Sequence, residues 1–207
     1  MFTPRDRQLD RGWPGRIDGD RVIHLAAQTL QSFFTGGGEA REHGEYALDD
    51  VELRAPVQQP PSVRVFSSDG DFSFSNPASI RGPGEAVVVP TGAGWLESEL
   101  RLAAVIGADE AIGGFTLMND WLAPELPGAK AGDFAISLGP VVVTPDEFGS
   151  RDDWNALVEH ARRNTRLLPG DVIAAGGVRG GPHHVGDEVE LEVEGIGVLR
   201  SYVAAAS

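Results

Sequence analysis

Cysteine is absent from this chain of 207 residues. That excludes a disulfide framework, a thiolate zinc site and a thiol nucleophile, so any catalysis falls to oxygen, nitrogen or a carboxylate-bound metal. Positive charge is scarce: 17 Lys and Arg stand against 31 Asp and Glu, a formal net charge of −14. Such a field repels phosphate backbones and anionic lipid surfaces, so neither nucleic acid nor a membrane is an expected partner. Long apolar runs are missing too. The longest, Leu102 to Ala108, is far below the roughly 18 residues a membrane span needs. The opening Met1-Phe2-Thr3-Pro4-Arg5-Asp6-Arg7 lacks the basic-then-apolar order of a signal peptide. A cytoplasmic protein is the expectation. The length predicts one sizeable core, and 27 Gly with 14 Pro imply many turns between short strands.

Local patterns support a mostly β chain. Arg16 to Leu25 reads as a hairpin around Asp18-Gly19, a dipeptide that tolerates positive φ. Leu25, Leu30, Phe33 and Phe34 then recur at helical spacing, predicting a short helix over Ala26 to Phe34 that Gly36-Gly37-Gly38 ends. The polar Glu39 to Asp50 reads as a surface loop, and the alternating Val51, Leu53, Ala55 and Val57 as a half-buried strand. Further strands are expected at Val63–Phe66, Phe72–Phe74, Ala86–Val89, Leu96–Ile106, Ile112–Met118 and Val141–Val143, followed by Asp171–Ala174 and a hairpin over Val189–Arg200. One amphipathic helix stands out: Ser150 can cap it, Asp152 and Asp153 suit its positive end, and Trp154, Leu157, Val158 and Ala161 form its apolar stripe. Gly176 to Gly181 has no Gly-Lys-Ser/Thr and opens no helix, so it reads as a flexible turn rather than a phosphate loop.

Within the long strand, Glu97, Glu99 and Arg101 occupy alternate positions and share a face. Oxygen ligands so placed, joined by the Asp at the end of a later strand, can surround a hard divalent cation. Alternating charge also marks the ordinary solvated face of a sheet.

The order of segments says more than their spacing. Leu53-Arg54-Ala55-Pro56-Val57, Gly82-Pro83-Gly84, the run from Glu99 to Gly107, Met118-Asn119-Asp120-Trp121, the run from Leu138 to Thr144, the run from Leu168 to Ala174, and Glu194 to Arg200 are collinear with segments of the fumarylacetoacetate hydrolase family. The chain resembles a shortened, divergent member of that family. The resemblance implies an α+β, mostly β fold: a mixed β-roll over residues 58–207 with a small N-terminal β-rich module over 1–57. It also implies a homodimer and a Mg²⁺ or Mn²⁺ site for 2-oxo or β-diketo acids. Family reactions include C–C hydrolysis, decarboxylation, hydration and tautomerisation.

Residue by residue, the match is uneven. The family's metal is held by a Glu-x-Glu pair and the Asp of Asn-Asp. Asp120 fits the last, Glu99 aligns with the first Glu, and Arg101 falls on the second, with Glu97 entering only if the strand frame shifts by two. A guanidinium cannot bind Mg²⁺, so Mg²⁺ or Mn²⁺ is expected to bind weakly or not at all, with Arg101 pairing with Glu99 and Asp120 instead. Lys130 keeps the spacing of the family's active-site lysine, with Asp133 after it, and would stabilise an enolate or a carboxylate. His183, next to His184 in a Gly-rich loop, is a candidate base or substrate contact. The catalytic candidates are therefore Lys130, Arg101 and Asp120; the substrate-binding candidates are Lys130, Asp133 and His183.

Several family parts are missing. Pro124 stands where a carboxylate-clamping Arg is expected, Ala175-Gly176-Gly177 replaces a Thr-Gly-Thr-like turn, and Ser67-Ser68-Asp69-Gly70-Asp71 replaces a lid bearing the water-activating His and Glu. Losing the lid argues against C–C hydrolysis and favours tautomerisation, decarboxylation, cyclisation or dehydration through an enolate. The alternative is a noncatalytic descendant that binds a ligand or scaffolds a partner.

Overall fold

The computed structural model describes residues 1–149 and 152–206. The N-terminal part contains β1 (Phe2–Pro4), β2 (Gly15–Asp18), β3 (Arg21–Leu25), α1 (Leu30–Thr35), β4 (Glu42–Ala47) and β5 (Val51–Leu53). Strand β1 pairs with β5, and β2-β3-β4 make a three-stranded sheet. The hairpin around Asp18-Gly19 is present, its register running from Gly15 opposite His24 to Asp18 opposite Arg21. Two expectations are corrected here. Helix α1 begins at Leu30 rather than Ala26, because Thr29 and Ser32 form a reciprocal capping box. The supposed loop 39–50 contains β4, which is exposed except at the half-buried Tyr46 and so carries no apolar alternation. Cross-strand contacts of Arg16 with Glu42 and Arg21 with Glu45 accompany its pairing instead. The expected strand 51–57 ends at Leu53, although Ala55 and Val57 are buried beyond it.

The rest of the chain supplies β6 (Val63–Phe66), β7 (Phe72–Ser75), β8 (Ile80–Arg81), β9 (Ala86–Val88), β10 (Leu96–Ile106), β11 (Ile112–Leu122) and β12 (Ile136–Val143). It continues with α2 (Pro145–Phe148), α3 (Asp152–Arg162), β13 (Val172–His183), β14 (Glu188–Val193) and β15 (Gly197–Ala204). A seven-stranded sheet runs in the order β7-β6-β13-β10-β11-β12-β8, and a three-stranded sheet in the order β14-β15-β9. Antiparallel pairs dominate, while β6 with β13, β8 with β12 and β9 with β15 are parallel. This is the mixed, mostly β roll that the family resemblance implies.

The large sheet is apolar on both faces where it is covered. Ala103, Val105, Met118, Ile136, Leu138, Val172 and Ala174 form one core, with Phe34 of α1 packed into it. Ala104, Ile106, Phe115, Leu117 and Ile173 form the other, covered by Trp154, Val158 and Ala161 of α3. Each such large apolar side chain contributes roughly 1.5–3 kcal/mol on burial. The stripe read from the sequence is thus the buried side of α3; the expected Ser150 cap lies outside the described residues. Among the described residues no helix is long and apolar enough to cross a membrane.

Candidate functional site

Strand β10 carries the site, and its pairing with β11 sets which groups meet. Glu99 lies opposite Asp120 and Arg101 opposite Met118, so alternation puts Glu97, Glu99, Arg101 and Asp120 on one face. Strand β11 runs past the expected end at Met118 as far as Leu122, because Asn119, Asp120 and Trp121 stay paired with β10. The first apolar core continues on the same face, so the charged cluster borders a dry floor of Ala103, Met118 and Ile136.

Arg101 is the centre of the cluster. Its side chain is 11% exposed; Nη2 lies 2.9 Å from Glu99 Oε2 and Nε 3.9 Å from Asp120 Oδ2. Nη1 donates to the carbonyls of Gly176 and, at 3.5 Å, of Phe66. The Nε–H is buried without a hydrogen-bond acceptor among the described residues. Asp120 thus has a cation beside it but no short bond to it. Burial pushes its carboxyl up from 3.8 to about 6, with Glu99 adding to the rise and Arg101 opposing it. The group is poised between acid and base near neutral pH.

Strand β13 closes the cluster from the other side. Its pairing with β10 skips a residue: Leu100 faces Val178 while Leu102 faces Ala175. The extra residue is a bulge at Gly176 and Gly177. Gly176 adopts φ +70°, the left-handed region open to glycine, and its carbonyl accepts from Arg101. A Cβ on Gly177 would lie 2.1 Å from Glu99 Oε1, so the missing side chain is the room that Glu99 occupies. The segment expected as a flexible turn is therefore paired strand. Beyond the bulge, Arg179 lies opposite Glu99, with Nε 3.8 Å from Glu99 Oε2 and Nη1 4.0 Å from Glu97 Oε2. Gly176, Gly177, Arg179 and the Phe66 carbonyl are the groups that sequence reasoning missed. A Gly-Gly step facing an alternately charged strand was the available signal.

The other candidates lie apart. Lys130 is 74% exposed on the turn between β11 and β12, bound to Asp133 at 2.7 Å; no ion pair or hydrogen bond among the described residues joins either to Arg101. His183 lies opposite Leu96. It shares a hydrogen bond of 2.9 Å with Ser98 and meets the Trp121 ring edge-on at 5.7 Å. Both contacts belong to the opposite face of β10 from Glu99. Burial lowers its pKa, against the pull of Asp187. A cleft of about 1060 Å³ lies between the N-terminal strands and β12, and none of these residues lines it.

A divalent metal does not fit this arrangement. The guanidinium already lies between Glu99 and Asp120, 2.9 Å from the one and 3.9 Å from the other. Among the described residues no three His, Asp or Glu side chains converge as a metal would require.

Comparison with known proteins supports the family and the fold. Residues 41–157 match the fumarylacetoacetate (FAA) hydrolase C-terminal family. A Mycobacterium tuberculosis protein is 30% identical over 76% of this chain and 80% of its own length. An uncharacterized Pyrococcus abyssi protein is 28% identical over 62% of this chain and 77% of its own. Among solved structures, a maleylpyruvate hydrolase from Sphingobium sp. SYK-6, in complex with manganese(II) and pyruvate, superposes with a TM-score of 0.81 at 20% identity over 100% of both chains. A 5-carboxymethyl-2-hydroxymuconate delta-isomerase from Mycobacterium smegmatis gives 0.76 at 25% identity, covering 99% of this chain and 98% of its own.

Proposed function

The chain belongs to the fumarylacetoacetate hydrolase family, and from that premise we propose that it is an enolising enzyme acting on a 2-oxo or β-dicarbonyl acid, with Arg101 in the place of a metal ion. The family and the similar structures are enzymes of hydrolase and isomerase type, which supports catalysis in general. The observation that carries the reading is Arg101 itself, a buried guanidinium 3.9 Å from a carboxylate whose pKa is pushed up to about 6.

In the reaction, the Asp120 carboxylate takes a proton from the carbon next to the substrate carbonyl. The electron pair moves to the carbonyl oxygen, and the fixed charge of Arg101 stabilises the resulting enolate. Return of the proton from Asp120 to the enolate oxygen or to a conjugated carbon completes a tautomerisation. Decarboxylation, cyclisation or dehydration draws on the same intermediate. Hydrolysis of a C–C bond is disfavoured, because the expected lid is a tight turn closed by the Ser67 N–H donating to the Asp71 carbonyl at 2.9 Å. The partner is a small molecule, with net charge −14 opposing nucleic acid and anionic membranes, and the protein acts as a cytoplasmic homodimer.

The test is deuterium exchange at C3 of pyruvate and of oxaloacetate, followed by NMR in D₂O with EDTA present. Enzyme-dependent exchange should persist in EDTA and fall by on the order of a hundredfold or more in Asp120→Asn. No exchange on either acid, or exchange abolished by EDTA and restored by Mn²⁺, overturns the reading. A second reading, a noncatalytic ligand-binding or scaffold protein, is favoured by one observation: Lys130, the expected active-site lysine, is 74% exposed and paired outward with Asp133. Binding of these acids without exchange would select it.

A further inference from the structure

Resting on the enolising reading, we propose that Arg179 is a specificity-determining residue that receives a second carboxylate of the substrate, so that the site favours dicarboxylic over monocarboxylic acids. The two arginines of the cluster are in opposite conditions. Arg101 is 11% exposed and spends its guanidinium on Glu99 and on backbone carbonyls. Arg179 is 70% exposed and its two ion-pair contacts, 3.8 Å to Glu99 and 4.0 Å to Glu97, are too long for hydrogen bonds. Among the described residues the donors of its fork make no hydrogen bond, and a carboxylate is the ligand that fits such a fork in bidentate fashion. Pairs this long and this exposed are worth little, so an incoming carboxylate displaces almost nothing to take Arg179.

Position favours the same assignment. Arg179 lies directly across the strand pair from Glu99, whose Oε2 also meets Arg101, so one carboxylate oxygen separates the two cations. A diacid whose carbonyl end is at Arg101 and Asp120 therefore presents its far carboxylate toward Arg179. The bulge at Gly176 and Gly177 sets this register, and Pro124, which has no side-chain donor, makes no competing clamp.

The experiment uses malonate and acetate as unreactive probes in calorimetric titrations of the full chain, alongside exchange measurements on oxaloacetate and pyruvate. The parent should bind malonate more tightly than acetate, and Arg179→Gln should weaken malonate by roughly ten- to a hundredfold. Arg179→Lys, which keeps the charge but not the fork, should recover part of the preference. The ratio of KM for pyruvate to that for oxaloacetate should fall toward one in Arg179→Gln. Malonate affinity unaltered by Arg179→Gln, or no malonate binding by the parent, overturns the assignment. Malonate binding that depends on Arg179 without exchange on either oxo acid upholds the clamp and overturns the enolising reading.

Discussion

Replacing Asp120 by Asn should stabilise the protein at neutral and alkaline pH and leave it unchanged in acid. Asp120 is held in the fold with its pKa raised from 3.8 to about 6 by burial, so folding favours its protonated form. A group raised in this way stabilises the fold fully below its unfolded pKa, and that contribution is lost as pH rises through the folded value. At about 1.4 kcal/mol per unit, the loss between pH 4 and pH 7 is about 3 kcal/mol. Asn is nearly isosteric, keeps an acceptor for Arg101 and does not ionise. The variant and the parent should therefore have nearly equal stability at pH 4, and the variant should gain progressively until about pH 7. By pH 8 the difference corresponds to a rise in Tm of roughly 6–12 °C. Urea denaturation of both proteins at one-unit pH steps measures it, and the other carboxylates cancel in the difference. Equal stability at all pH values, or a parent more stable at pH 8, would show that pairing with Arg101 outweighs burial. Asp120 would then be an ordinary salt-bridged carboxylate.

Gly177→Ala should destabilise by about 1–3 kcal/mol, because the new Cβ meets Glu99 Oε1 at 2.1 Å; an unchanged denaturation midpoint would mean that Glu99 has free room. Asp171→Ala should cost about 3–5 kcal/mol, since Asp171 is 3% exposed, faces the 7% exposed Arg64 at 3.4 Å and accepts from Ser62 and the Leu168 N–H. A loss under about 1 kcal/mol in chemical denaturation would contradict the pairing. Lys130→Ala should keep parental stability and turnover, its one ion pair being exposed and apart from Arg101; a loss of turnover in a folded variant would return the lysine to the site.

The convergence of Glu99, Arg101 and Asp120 was legible through the family resemblance, and alternation along one strand with antiparallel pairing to the next is what produces it. The helix stripe of Trp154, Val158 and Ala161 was legible because one face is buried. Where a strand is exposed save for one half-buried residue, as in Glu42–Ala47, pairing leaves no apolar period to read. The bulge at Gly176 and Gly177 was hidden because an added residue in a ladder has no composition of its own, and glycine suggested a loop. That one offset carries Arg179 opposite Glu99, a contact no spacing rule on a single strand could anticipate. His183 follows the same lesson: its face depends on the register of β13 against β10, which the sequence does not state.

The central claim is that a guanidinium replaces a metal between Glu99 and Asp120, and a manganese titration read by electron paramagnetic resonance tests it most directly. The parent should leave the signal of aqueous Mn²⁺ undiminished at micromolar concentrations. Arg101→Glu, which supplies a third carboxylate where the cation was, should quench that signal with one equivalent per chain. Tight binding of one Mn²⁺ by the parent, with no gain in Arg101→Glu, would contradict the account.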